Sequence, residues 1–229
     1  MNARTIAILG AGSWGTPTAI HLAEVGYEVL LWAHNPLHVD QMTIDRANSR
    51  YLPGVVFPEG LIPTSDITEC LQKADDVFIA VPSHAFAEVL GNIDKPAQGL
   101  TWLTKGVDPL THSFLSELVA QRFGVNYPMA ILSGPSFAKE VARLLPTALT
   151  LAGNNSEYLN RIHQLVHHRN IRVYLSDDLK GVQLCGAVKN VLAIACGVSD
   201  GLGYGANAQA ALITRGLAEM SRLGDALGA

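Results

Sequence analysis

The chain opens on Thr5-Ile6-Ala7-Ile8-Leu9 and passes at once into Gly10-Ala11-Gly12-Ser13-Trp14-Gly15, and this stretch decides how the remainder is read. The apolar, β-branched run predicts a buried strand, and the Ala/Leu-rich residues after the glycines predict a helix. Gly-x-Gly-x-x-Gly at a strand-to-helix turn has the spacing of a dinucleotide fingerprint. Gly10 permits the tight turn, Gly12 lets the backbone approach a pyrophosphate, and Gly15 packs helix against strand. A helix starting at Ser13–Trp14 aims unpaired N–H groups and positive partial charge at phosphate.

Working outward, strand and helix patterns alternate. Helix Trp14–Val25 is ended by Gly26 and followed by strand Tyr27–Trp32 and a helix over His38–Asn48. Tyr51–Gly60 is punctuated by Pro and Gly and reads as a loop. A short helix at Ile67–Gln72 leads to a buried strand at Asp76–Val81, then a helix from Pro82-Ser83 through Leu90. Leu100–Thr104, Met129–Leu132, Thr147–Leu151 and Ile171–Leu175 read as further strands, with helices near His112–Arg122 and Ser156–His167. Such alternation predicts an α/β fold, a Rossmann-like, doubly wound parallel sheet, over residues 1–176. From residue 177 no strand pattern remains. Residues 177–229 read as the start of an all-helical second domain, with an apolar stripe at Ile213, Leu217, Met220, Leu223 and Leu227 that has nothing after it to cover it.

Composition bounds the function. The 229 residues, 48% hydrophobic and 16% charged, suit a globular chain with a sizeable core. A net charge of −4 and the lack of a Lys/Arg run argue against nucleic acid or an anionic membrane surface as the main partner. The longest apolar run, Val191–Val198, follows Lys189-Asn190 closely and falls short of membrane-spanning length, and the opening strand leaves no room for a signal peptide. The three cysteines (Cys70, Cys185, Cys196) lack metal or redox spacing, and Cys185 and Cys196 read as reduced core or site-lining thiols. The expectation is a soluble cytoplasmic protein.

Ligands of an open parallel sheet sit beyond the carboxyl ends of its strands. Three such ends carry distinctive residues here: Ser83-His84, Lys105-Gly106 and Ser133-Gly134-Pro135-Ser136. Lys105 is placed to neutralise a phosphate or polarise a hydroxyl, and the turn from Gly134 into a helix offers backbone N–H groups to an anion. Lys189 lies on a small, apolar helical face with Val182, Cys185, Gly186, Leu192 and Ala193. Burial there would lower its pKa toward that of a general base, whereas a snorkelling stem that covers the core is the plainer alternative. Leu31-Trp32-Ala33-His34-Asn35 ends the second strand without the carboxylate that usually holds an NAD ribose, so NADP is admissible beside NAD. His34 is positioned to lie against the adenine ribose or in solvent. His163 and His167 have helical ligand spacing but no third ligand, so no metal is expected.

Taken together the motifs resemble the bacterial type of NAD(P)-dependent glycerol-3-phosphate dehydrogenase. The resemblance rests on Gly10–Thr16, Val81-Pro82-Ser83-His84, Thr104-Lys105-Gly106, Ser133–Glu140, Gly181–Asn190 and Thr214–Met220, and it spans the chain in order. It implies interconversion of sn-glycerol 3-phosphate and dihydroxyacetone phosphate with NAD(P), serving glycerophospholipid synthesis. It also implies cofactor contacts at Ser13, Trp14, His34, Lys105 and Ala138, beside the fingerprint glycines Gly10, Gly12 and Gly15. Substrate contacts are implied at Lys105, Gly134, Ser136 and Lys189, with Lys189 the proton acceptor. The partner implied is a small phosphorylated triol or ketone, and full-length members form homodimers.

Two departures stand out. Pro17 replaces the alanine common in the family's first helix, at a cost of up to about 3 kcal/mol if it falls deep in the helix. The family also continues beyond the position of Ala229, so the second domain is expected to be incomplete, and the chain to keep cofactor affinity with little or no turnover. Competing readings are another β-hydroxyacid dehydrogenase, a non-catalytic NAD(P)-binding sensor, which has no use for Lys189, and an oligomer-forming structural role for the uncovered stripe.

Overall fold

The structure, a computed structural model, describes residues 4–229. An eight-stranded sheet runs in the order β3-β2-β1-β4-β5-β6-β7-β8. Its strands are β1 (Thr5–Leu9), β2 (Glu28–Trp32), β3 (Leu61–Thr64), β4 (Asp76–Ile79), β5 (Leu100–Trp102), β6 (Met129–Ser133), β7 (Thr147–Gly153) and β8 (Ile171–Ser176). Seven helices accompany it: α1 (Gly15–Val25), α2 (Pro36–Asp45), α3 (Ile67–Lys73), α4 (Ser83–Gly91), α5 (Leu115–Phe123), α6 (Ala138–Ala142) and α7 (Ser156–Val166). The central strands are apolar on both faces because helices cover both. Ile6, Ile8 and Phe78 pack into one core layer, and Ala7, Leu9, Ile79, Phe86 and Trp102 into the other.

The sheet is mostly parallel, not wholly so. β7 lies antiparallel to β6, with Ala130 opposite Gly153 and Ser133 opposite Thr150, and β8 is parallel to β7. A parallel return needs a full crossover. The chain instead leaves β6 through a turn and the short α6, which packs on α1, and re-enters the sheet at the same end of the strands. Strand β3 was not expected. Pro63 lies in it, opposite Leu31, and is tolerated because β3 is an edge strand whose outer N–H positions need no partner. Pro17 is the third residue of α1, where the missing N–H would have had no intrahelical acceptor, so it costs little.

Two long helices close the chain, α8 (Leu179–Gly201) and α9 (Ala206–Leu227). The Asp178 carboxylate caps α8 by accepting from the Gly181 amide at 2.7 Å. Gln183 is buried and ties α8 to α5, accepting from the Ser116 amide at 3.0 Å and donating to its hydroxyl at 2.9 Å. Against the sequence expectation, α8 is by length and composition apolar enough to cross a membrane, with a mean hydropathy of 1.5 over its most apolar stretch. The helix continues on both sides of Lys189, which the apolar run alone concealed. The stripe on α9 is uncovered, with Ile213, Leu217, Leu223 and Leu227 all exposed. Cys185 is exposed as well and is no core thiol; the buried cysteine is Cys70.

Candidate active site

The strand order reverses between β1 and its neighbours β2 and β4, and a cleft of about 940 Å³ opens there. Its floor is the glycine turn. Gly10 holds φ at 129°, and a Cβ on it would stand 2.6 Å from the Ala80 carbonyl oxygen at the end of β4. Any side chain at Gly15 would overlap the Gly10 carbonyl and stand 2.9 Å from the Ala80 Cβ, so α1 sits on the strands only because Gly15 has none. Gly12 differs, with open space where its Cβ would be. Among the described residues the N–H groups of Gly12, Ser13, Trp14 and Gly15 donate to no backbone carbonyl, and α1 has no side-chain cap. The buried indole Nε1 of Trp14 also has no hydrogen-bond partner. Unspent donors at an open helix N-terminus fit a bound anion.

The structure brings Gly10, Gly12, Ser13, Trp14, His34, Lys105, Ser136 and Ala138 to the wall of this one cleft, with Gly15 packed beneath it. The sequence reading did not mark Asn35, His38, Arg50, Tyr51 and Glu88 for the site, yet they line it too. Asn35 is occupied as the cap of α2, accepting from the Leu37 and His38 amides. Arg50 and Tyr51 arrive on a loop whose Pro/Gly punctuation signals a turn but not where the turn lies. His163 and His167 are far from the cleft, stacked 4.5 Å apart beside Val173.

Beside the cleft, which Lys105 lines and Lys189 and Gly134 do not, the two candidate lysines meet. Lys105 follows β5 and reaches Nζ to the Gly134 carbonyl oxygen at 3.2 Å; Lys189 reaches the same oxygen from α8 at 3.1 Å. Close backbone approaches make this possible. A Cβ on Gly134 would be 2.9 Å from the Ala148 carbonyl oxygen on β7, and one on Gly186 would be 3.1 Å from Ser133 Oγ. The Lys105 ammonium also stands 5.0 Å from the Trp14 ring centroid, linking the lysine pair to the glycine turn. Thr104 donates to the Val81 carbonyl at 2.7 Å and holds the β5 and β4 ends together. Burial first, and then the charge and hydrogen bonding of Lys189, pull the Lys105 ammonium down to about 7. The depression falls on Lys105, at the end of β5, and the neighbouring Lys189 is one of its causes.

A cleft that presents N–H donors to an anion and has paired lysines beside it can hold a dinucleotide and move a proton next to it. Known proteins agree. Residues 5–159 match the NAD-dependent glycerol-3-phosphate dehydrogenase N-terminus, and residues 178–229 match the corresponding C-terminus. The chain is 70% identical to glycerol-3-phosphate dehydrogenase [NAD(P)+] of Legionella pneumophila strain Paris, over all of this chain and 70% of the relative. It is 48% identical to that of Haemophilus influenzae strain PittEE, over 98% of this chain and 68% of the relative. The crystal structure of glycerol-3-phosphate dehydrogenase from Coxiella burnetii superposes with a TM-score of 0.93 at 49% identity, over 99% of this chain and 70% of that one.

Proposed function

Because the chain belongs to the NAD-dependent glycerol-3-phosphate dehydrogenase family, we propose that its cleft binds NAD(P) and its paired lysines act on sn-glycerol 3-phosphate and dihydroxyacetone phosphate, in the service of glycerophospholipid synthesis. The observation that carries this reading is the convergence of Lys189 and Lys105, which itself lines the glycine-floored cleft, on one carbonyl. When bound, NAD(P) accepts or supplies the hydride. The N–H groups of the Gly12–Gly15 turn hold the diphosphate, and His34 stands by the adenosine end. No carboxylate there repels a 2′-phosphate.

Lys189 takes the proton of the substrate hydroxyl as the alcohol becomes a ketone, and returns it in the reverse direction. A general base must be neutral before it acts. Two ammonium groups on one acceptor resist being charged together, so their proximity supports a neutral amine near pH 7. The pair holds one charge between its two amines near pH 7, and that charge offsets substrate phosphate, with the Gly134–Ser136 turn beside it. We assign residues 1–176 to the dinucleotide domain and 177–229 to the beginning of the substrate domain. We read α8 as a helix of a soluble cytoplasmic enzyme and not as a membrane span, because Gln183 and Lys189 fasten it to α5 and the Gly134 turn. The same reading takes the full-length form as a homodimer. The match through both halves of the chain favours this activity over another β-hydroxyacid dehydrogenase or a sensor.

The test is oxidation of NADPH and NADH with dihydroxyacetone phosphate, run on this chain beside Lys189→Ala. Turnover that disappears in the variant supports the assignment. Turnover that survives it removes Lys189 as the base, and failure to bind either cofactor refutes the cleft assignment.

A further inference from the structure

Asn48 belongs to none of the motifs above, yet it is buried in the loop that follows α2 and its side chain is bonded to three groups, two of them, Ala11 and His38, in the cleft wall. Its Nδ2 donates to the Ala11 carbonyl oxygen at 2.9 Å and to Thr16 Oγ1 at 2.8 Å. Its Oδ1 accepts from His38 Nε2 at 3.1 Å. Its own carbonyl accepts from the Tyr51 and Leu52 amides, which shapes the loop carrying Arg50 and Tyr51 to the cleft.

The Ala11 contact has a geometric consequence. The Ala11 carbonyl and the Gly12 N–H belong to one planar trans peptide unit, so they point to opposite sides of the chain. With the carbonyl turned toward buried Asn48, the Gly12 N–H is left facing the cleft that Gly12 lines. Little else holds this unit. Gly12 has open space around its Cβ position, and glycine tolerates rotation of the adjoining peptide in either sense. A flipped unit would present a carbonyl oxygen where an N–H should meet phosphate.

We propose that Asn48 is a positioning residue for dinucleotide binding: by holding the Ala11 carbonyl it keeps the Gly12 N–H directed at the pyrophosphate. The proposal rests on the NAD(P) reading of the cleft. Removal of Asn48 then weakens ligands that carry a pyrophosphate and spares those that lack one.

Calorimetric titration with ADP-ribose, which has the pyrophosphate, and adenosine, which lacks it, separates these cases. Asn48→Ala is expected to weaken ADP-ribose about tenfold or more and leave adenosine within about twofold. Thr16→Val, which removes the neighbouring bond but not the Ala11 contact, is expected to retain the wild-type preference for ADP-ribose. Unchanged ADP-ribose affinity in Asn48→Ala, an equal loss for both ligands, or the same loss in Thr16→Val overturns the proposal. Should the alanine variant not fold, Asn48→Asp keeps the volume and the His38 contact but sets an acceptor against the Ala11 carbonyl. It is expected to show the same selective loss, and wild-type binding by it overturns the proposal. A wild-type chain that binds no ADP-ribose refutes the cofactor reading itself, and this proposal with it.

Discussion

Lys105 and Lys189 direct their ammonium groups at a single acceptor, the Gly134 carbonyl oxygen, from 3.2 and 3.1 Å. They come from elements far apart in sequence, one at the end of β5 and one in the middle of α8. One carbonyl cannot neutralise two positive charges. The arrangement is therefore poised to release a proton or to receive an anion, and a phosphorylated substrate that gives up a hydroxyl proton meets both conditions.

The lysine pair makes stability depend on pH. Lys105 is held near 7 in the folded chain, against 10.5 for an ordinary lysine. Between those values the unfolded chain holds a proton that the folded chain lacks, so the Lys105 contribution to stability rises with pH. Below about 7 both states are protonated and the contribution is level. Urea midpoints of wild type and Lys105→Met, compared from pH 6 to pH 10, are expected to diverge in favour of wild type above pH 7. A pH-independent difference would falsify the depressed value.

In the full-length form, Lys189→Ala is expected to reduce turnover by about 10²–10⁴ while NADPH affinity stays at the wild-type level, because Lys189 lies outside the glycine turn. Steady-state rates and fluorescence titration check the two halves separately. A parallel loss of cofactor affinity would place Lys189 in the dinucleotide site instead.

Gly15→Ala forces a methyl group into the Gly10 carbonyl and toward Ala80, neither of which can retreat without moving a central strand. The expected cost is about 1–3 kcal/mol in chemical denaturation, together with weaker NADPH binding as α1 lifts from β1. Gly12→Ala is the contrast. Its Cβ meets no protein atom, so stability is retained and only the approach of the pyrophosphate is obstructed.

At the opposite, N-terminal end of the strands, Asp76 at the start of β4 is fully buried and receives Arg161 Nε at 2.7 Å and a second guanidinium nitrogen at 3.0 Å. Among the described residues, Arg161→Met leaves the carboxylate with only Arg4, 3.9 Å away, as a cationic partner. The expected destabilisation is about 3–5 kcal/mol, read from the urea midpoint at pH 7. A change under about 1 kcal/mol, the range of exposed ion pairs, would show that Asp76 finds other solvation.

Much of this was legible in the chain itself. The apolar run Thr5–Leu9 before spaced glycines identifies β1, the turn and α1, because no other element needs that sequence of residue types. Lys105 and Ser136 can be placed near the ligand because strand ends in such sheets face it. Strand β3 escaped notice because Pro63 reads as a breaker, and only its place at the edge makes it acceptable. Asn48, Arg50 and Tyr51 escaped because a loop carries no periodicity to say where its side chains point. The reversal of β7 was hidden because strand direction depends on the path of the connection, and the composition of β7 does not record it.

Sequence alone determined the element types, the glycine turn and the lysines proposed for the chemistry, because local propensity, hydrophobic period and steric need at glycine are written residue by residue. Tertiary structure decided that Lys105 loses its ordinary pKa and that Asn48 holds the Ala11 carbonyl. Desolvation and hydrogen bonding depend on distances between β5, α8, the Gly134 turn and the loop after α2, and those distances exist only once the sheet has assembled.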